Sequence, residues 1–309
     1  MGENRWFRSS LTQIKKALEQ EGITLSTSTI GTKLHLLKYS PRFNEKSLEG
    51  SRHPDRDLQF CYIRKVAGVF SLKGLPIISV DTKNKELLGQ FKNGGQSWCK
   101  DPISANIHDF PSQSLGRAVP YGIYDLNTNE GFVFTGNSAD TPEFSVDCIK
   151  TWWCTFGCKA YPNANKLLIL ADSGGSNNCN YHLWKDQVQE KLANELGLKV
   201  TICHYPTGCS KWNPIEHRLF GPISVRWKGE PLETFEKMIA LINSTTNKAG
   251  LKVRALLKDG VYKTGIKVSE AAIAALKIAR HRICPKWNYT IRPARPKNLE
   301  SYAAANIME

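Results

Sequence analysis

Two apolar runs that each stop at an aspartate, LPIISVD (75–81) and KLLILAD (166–172), constrain this chain more than any other feature. Runs of this length, rich in Ile, Leu and Val, are too short for a buried helix and fit strands covered on both faces. An acid at the end of such a run stands at the open end of a strand. Around them, ELLGQF (86–91), RAVPYGIYDL (117–126), EGFVFTGNS (130–138) and LKVTICHYP (198–206) also read as strands, with a tight turn over Asn127 to Asn129. TPEFSVDCIKTWWCTFG (141–157) reads as a helix capped by Thr141 with Pro142 at its first position, and HLWKDQVQEKLANELG (182–197) as an amphipathic helix closed by Gly197. Strands followed by alternating helices and strands predict an α/β fold, a mixed sheet with helices on both faces.

In that layout three acids from distant parts of the chain converge. Asp81 ends the first strand, Asp172 ends a later one, and Glu216, in SKWNPIEHRLF (210–220), sits at a helix start after the last strand. A pair of divalent cations needs oxygen ligands from separate segments, because one loop dense in carboxylates repels itself. Phosphoryl transfer is the chemistry such a pair serves. Two of the acids also have an ordinary reading: Asp81 precedes Thr82-Lys83-Asn84 and could form a turn, and Glu216 could stabilise a helix dipole. The Gly-Gly pair after Asp172 permits close backbone approach to a metal or phosphate, a weak signal by itself.

Charge is distributed unevenly. Residues 1–74 carry 13 Lys/Arg against 7 Asp/Glu, residues 75–250 carry 17 against 17, and residues 251–309 carry 12 against 4. A neutral middle between basic ends fits a catalytic core whose flanks hold a polyanion; a basic surface that only keeps the chain soluble is the competing reading. Residues 9–38 read as two short helices around Gly22, capped by Ser9 or Ser10 and by Ser26 or Thr27. Leu11, Ile14, Ala17 and Leu18 form one inner face, and Ile30, Leu34 and Leu37 the other. With Lys33, His35 and Lys38 exposed, this is a helix-turn-helix pattern for DNA, although any helical hairpin shares it. The expected organisation is a partial helix-turn-helix region over 1–46, a linker and helix over 47–74, a catalytic core over 75–250 and a basic arm over 251–309.

Nine cysteines leave at least one unpaired, and neither a signal peptide nor a long apolar span is visible, so a reduced cytoplasm and no membrane association are expected. Cys148, Cys154, Cys158, Cys179, Cys203 and Cys209 read as small buried apolar residues, since no second pair has zinc-type spacing. Around Glu216, the cationic and hydrogen-bonding side chains Lys211, Trp212, Asn213, His217 and Arg218 suit a bound phosphodiester. Trp98, in the Gly-rich NGGQSW loop, is a candidate for stacking on a base, while Trp152 and Trp153 read as helix packing. His108 and Asp109, in an irregular stretch, fit a structural role, with lining of the cleft as the alternative, and Asp125, Asp140 and Glu143 read as turn and cap residues.

The motifs VDTKNKELLGQFKNGG (80–95), HDFP (108–111), YGIYDL (121–126), ADSGGSN (171–177) and SKWNPIEHRLF (210–220), continued by LKVRALL (251–257), GIKVS (265–269) and KWNYTIRP (286–293), resemble the Rhodopirellula-type (ISAzo-thirteen-like) insertion-sequence DDE transposases. The resemblance runs over roughly residues 10–293. It implies a ribonuclease-H-like core with an acidic triad at Asp81, Asp172 and Glu216 that holds two Mg²⁺ ions, with Mn²⁺ able to substitute. The implied reaction is phosphodiester cleavage at the ends of a mobile element, followed by attack of the freed 3′-hydroxyl on target DNA. The implied partners are double-stranded DNA and further copies of the chain, assembled as a dimer or larger synaptic complex. Relative to that family the chain begins close to the helix-turn-helix, the pattern of an N-terminally shortened copy. Two other readings are a transposase-derived DNA-binding protein without chemistry and a nuclease that only hydrolyses.

Overall fold

The structure, a computed structural model, describes residues 10–41 and 53–294. The expectations placed on residues 1–9, 42–52 and 295–309, which include the ends of the N-terminal region, part of the linker and the end of the basic arm, lie outside the described residues. The chain divides into two compact units, Met1–Ser51 and Arg52–Glu309.

In the first unit, α1 (Leu11–Gln20) and α2 (Thr27–Leu36) form a helical hairpin. Ser10 caps α1 in a full capping box with Gln13, and Ser26 caps α2 by accepting from the Thr29 amide at 3.0 Å. Gly22 takes the left-handed conformation that turns the chain between them. Ile30 is the buried residue of the pair, and Leu37, expected to face inward, is 68% exposed because α2 ends at Leu36 and the chain turns at Lys38.

The second unit is built on a mixed sheet of nine strands among the described residues. Strands β1 (Ile77–Thr82), β2 (Glu86–Leu88), β3 (Gly116–Asp125) and β4 (Glu130–Gly136) precede helix α4 (Pro142–Trp152); β5 (Lys166–Ala171) and β6 (Lys199–His204) follow it. The order β4-β3-β1-β5-β6, with β1 antiparallel to β3 and parallel to β5, is that of a ribonuclease-H-like fold. Alternation along the strands feeds two faces. Ile78, Val80, Leu167 and Ile169 pack with α4 and Trp184 on one face. On the other, Ile77, Leu168 and Leu170 meet Ile63 and Phe70 of α3 (Arg56–Leu72), while Tyr124 and Val133 meet Ile215, Leu219 and Phe220. Gly122 and Gly131 permit that second contact. A Cβ on Gly122 would lie 2.5 Å from the Phe220 ring, and one on Gly131 would lie 2.3 Å from Leu219.

The sheet does not end at residue 250. β7 (Lys252–Lys258) adds in parallel to β4 at one edge, and β9 (Asn288–Ile291) pairs antiparallel with β6 at the other, with β8 (Ile278–Arg280) outside it. The segment expected as a separate basic arm therefore supplies both flanks of the core. Four of the cysteines expected inside, Cys148, Cys179, Cys203 and Cys209, are buried. Cys154 is exposed and Cys158 half-buried, because the helix beyond Trp152 turns that edge outward. Among the described residues no helix is long and apolar enough to cross a membrane.

Candidate active site

β1 and β5 run parallel, with Val80 opposite Ala171 in register, so the residues that follow, Asp81 and Asp172, emerge side by side at the same end of the sheet. A helix that starts at Pro214 crosses the face of β1 and β3 and brings Glu216 to them. The three carboxylates line one open cleft of about 420 Å³, together with Thr82, Lys83, Asn84, Lys85, Asp140, Gly174 and Gly175.

The cleft is crowded with negative charge. Burial first, and the neighbouring charge of Asp172 second, push the Asp81 carboxyl up to about 7, against the opposing hydrogen bond from the Thr82 amide at 2.8 Å. Burial also raises Asp172, opposed by hydrogen bonds from the Ser173 and Gly174 amides, the first at 2.6 Å. Glu216 is raised by burial and relieved by Lys83 and His217. Lys83 itself is lowered by burial; its ammonium lies 4.5 Å from the centroid of the Trp227 ring and 3.5 Å from Glu86.

An all-oxygen donor set with excess negative charge is what hard divalent cations such as Mg²⁺ or Mn²⁺ require. Among the described residues no three His, Cys, Asp or Glu side chains stand close enough to close on one ion. The fit is thus to carboxylates spread along a cleft.

Two buried polar arrangements hold these acids. Behind Asp172, His204 of β6 is fully buried; its Nδ1 lies 2.9 Å from the Asp172 carbonyl oxygen and its Nε2 2.9 Å from the Tyr289 hydroxyl, which accepts from Trp184 Nε1 at 3.1 Å. One tautomer satisfies every partner: Nδ1–H donates to the carbonyl and Nε2 accepts from Tyr289. Burial accordingly lowers His204 to about 4 and keeps it neutral. Beneath Glu216, Asn213 is not at the surface as expected for a DNA contact. It is fully buried, with its amide engaged by Ser79 and Val80 of β1.

The other expected contacts fall in different places. Trp212 is 52% exposed and edge-on to Phe60, and Lys211 lies over the Trp212 ring. His217 is exposed with its Nε2 2.5 Å from the Lys211 carbonyl oxygen, and exposed Arg218 lies over the Tyr124 ring. Trp98 projects fully into solvent. Lys33, His35 and Lys38 are exposed on the hairpin of the first unit. His108 and Asp109 are exposed, and Trp152 and Trp153 are buried in the core beside α4. Asp140, read from sequence as a cap residue, lines the cleft: it accepts from Thr82 Oγ1 at 3.1 Å, lies 3.7 Å from Lys85 Nζ and adds to the charge that raises Asp81. The signal that could have found it is its place at the β4 to α4 turn, at the same sheet end as Asp81.

This acidic cleft lies at the strand ends of a ribonuclease-H-like sheet, and the sequence comparison gives the family. The family model of the Rhodopirellula transposase DDE domain matches residues 1–293, and the chain belongs to that family. No curated protein matches the sequence. Among solved structures, the Mos1 transposase paired-end complex with left transposon end aligns at 9% identity and a TM-score of 0.44, covering 76% of this chain and 70% of that one. The Mos1 strand transfer complex aligns at 10% identity and 0.44, covering 74% of this chain and 63% of that one.

Proposed function

We propose that this transposase-family chain cuts DNA phosphodiesters at the ends of a mobile element and joins the freed 3′ ends to target DNA, using Asp81, Asp172 and Glu216 to hold two Mg²⁺ ions. The observation that carries the reading is that these three acids, from two strand ends and a helix start, line a single cleft. When bound, the ions supply Lewis acidity at the phosphodiester and at the attacking oxygen. The chain's own part is positional and electrostatic. Asp81, Asp172 and Glu216 together would hold the ions in this cleft. Lys83, at the wall of the same cleft, would offer a cation to a phosphate group of the DNA. Gly174 and Gly175 leave room for the backbone of a DNA strand to approach Asp172. Lys33, His35 and Lys38 of the first unit, and Trp98, Lys211, Trp212, His217 and Arg218 of the second, hold duplex DNA, chiefly through phosphates. Two or more copies act together, one for each element end.

The test is cleavage and joining by purified protein on a labelled element end with Mg²⁺ or Mn²⁺. Asp81→Asn, Asp172→Asn and Glu216→Gln should each reduce cleavage to background while leaving DNA binding intact, because each removes charge at nearly constant shape. A variant that cuts near the unmutated rate removes that acid from the set. Cleavage without joined products would leave a hydrolytic nuclease.

A further inference from the structure

The helix that carries Glu216 is fastened to β1 through two buried side chains, Ser79 and Asn213. Pro214 is the first helical residue, which costs nothing because the first amide of a helix has no partner. Asn213 precedes it at the position whose side chain ordinarily caps the next amides. Here that side chain turns away. Its Oδ1 accepts from the Ser79 hydroxyl, and its Nδ2 donates to the Val80 carbonyl at 3.2 Å. The Ser79 oxygen in turn accepts from the Ile215 amide at 3.2 Å, so a strand residue caps a helix 136 positions later in the chain. Ser79 and Asn213 are both 0% exposed, and every polar atom of the two side chains except one amide hydrogen has a partner within the pair or its neighbours.

Spacing gives the arrangement its consequence. Ser79 and Asp81 are two apart on β1 and so project from the same face. Asn213 and Glu216 are joined by the first turn of the helix, where the Glu216 amide donates to the Asn213 carbonyl at 3.1 Å. The Ser79–Asn213 pair is thus the rung directly below Asp81 and Glu216.

We propose that Ser79 and Asn213 are positioning residues that set the separation of Glu216 from Asp81, and so set the affinity of the cleft for divalent cations. The inference rests on the metal-holding role proposed above for those two acids.

Mn²⁺ binding to the full chain without DNA, followed by electron paramagnetic resonance of the free ion, tests it apart from activity. Ser79→Ala and Asn213→Ala should each weaken Mn²⁺ binding about 10–100-fold, the usual effect of removing a group that orients a ligand. The double variant should weaken it no more than the worse single one. Ser79→Thr, which keeps the hydroxyl, should restore most of the affinity. A merely structural role would lower the melting temperature and leave the Mn²⁺ affinity of the folded protein unchanged, and that result overturns the proposal. If Asn213→Ala does not fold, Ser79→Ala, which removes a single oxygen, decides alone. Asp81→Asn separates the two ideas: loss of Mn²⁺ binding there with unchanged affinity in both clamp variants rejects the clamp only, whereas unchanged binding in Asp81→Asn rejects the metal role itself.

Discussion

Asp81 holds its charge in an unfavourable place, half-buried and facing Asp172, Glu216 and Asp140. Its folded-state pKa, about 7, is above its ordinary value of 3.8, so the folded protein prefers the protonated acid. The sign follows from linkage: the penalty is full above pH 7 and is relieved as pH falls through 7 toward 4. Metal-free Asp81→Asn should therefore melt higher than the unmutated protein at pH 8, by roughly 2–4 °C for each kcal/mol relieved, and the difference should shrink toward pH 5. Equal melting temperatures at pH 8 would show that Asp81 is not strained by its neighbours. At this scale the sequence was legible where an acid ended an apolar run. It was opaque where a residue's partner lay far along the chain, as with Asn213, whose amide reads as a DNA contact until Ser79 is found beside it. Asp140 was hidden by adjacency to Thr141, a genuine helix cap whose hydroxyl accepts from the Phe144 amide at 3.2 Å.

Among the elements, β1 and β3 to β6 could be read because buried strands are long, apolar and bounded by turn residues. β7 could not. Its burial alternates and its exposed positions carry Lys252 and Arg254, as befits an edge strand, so it reads as part of a basic tail. β8 and β9 are three and four residues long, too short to show a period. Yet β9 is wholly buried, and its Tyr289 completes the support of His204 behind Asp172. A chain ending at residue 250 would leave the edges of β4 and β6 unpaired and His204 without its donor. It should aggregate or unfold without a cooperative transition, as read by size-exclusion chromatography and thermal melting. Tyr289→Phe is the milder version. Leaving the buried Nε2 and Trp184 N–H unsatisfied should cost about 1–3 kcal/mol in denaturant unfolding.

Over the whole molecule the two units differ in what they bury. The hairpin of the first has Ile30 as its buried residue, whereas the second closes three apolar clusters around a nine-strand sheet. Hydrogen exchange should accordingly find residues 10–38 poorly protected relative to β1, β3 and β5, since local opening is cheap where little apolar surface is covered. Protection of the hairpin equal to that of the sheet would contradict this. Replacing Lys33 and Lys38 by Ala should weaken DNA binding and lower the slope of log K against log salt by about one for each phosphate no longer neutralised. An unchanged slope would show that these charges are simply solvated. The placement of β7 and β9 at opposite flanks of one sheet also has a consequence in time. All three acids have been synthesised by residue 216, but the strand that supports Asp172 from behind ends at Ile291. At about 5–20 residues per second, translation needs roughly 4–15 s to cover that stretch. During that interval a nascent chain already carries all three acids of the cleft without β9, so the support behind Asp172 is completed only when that strand is made.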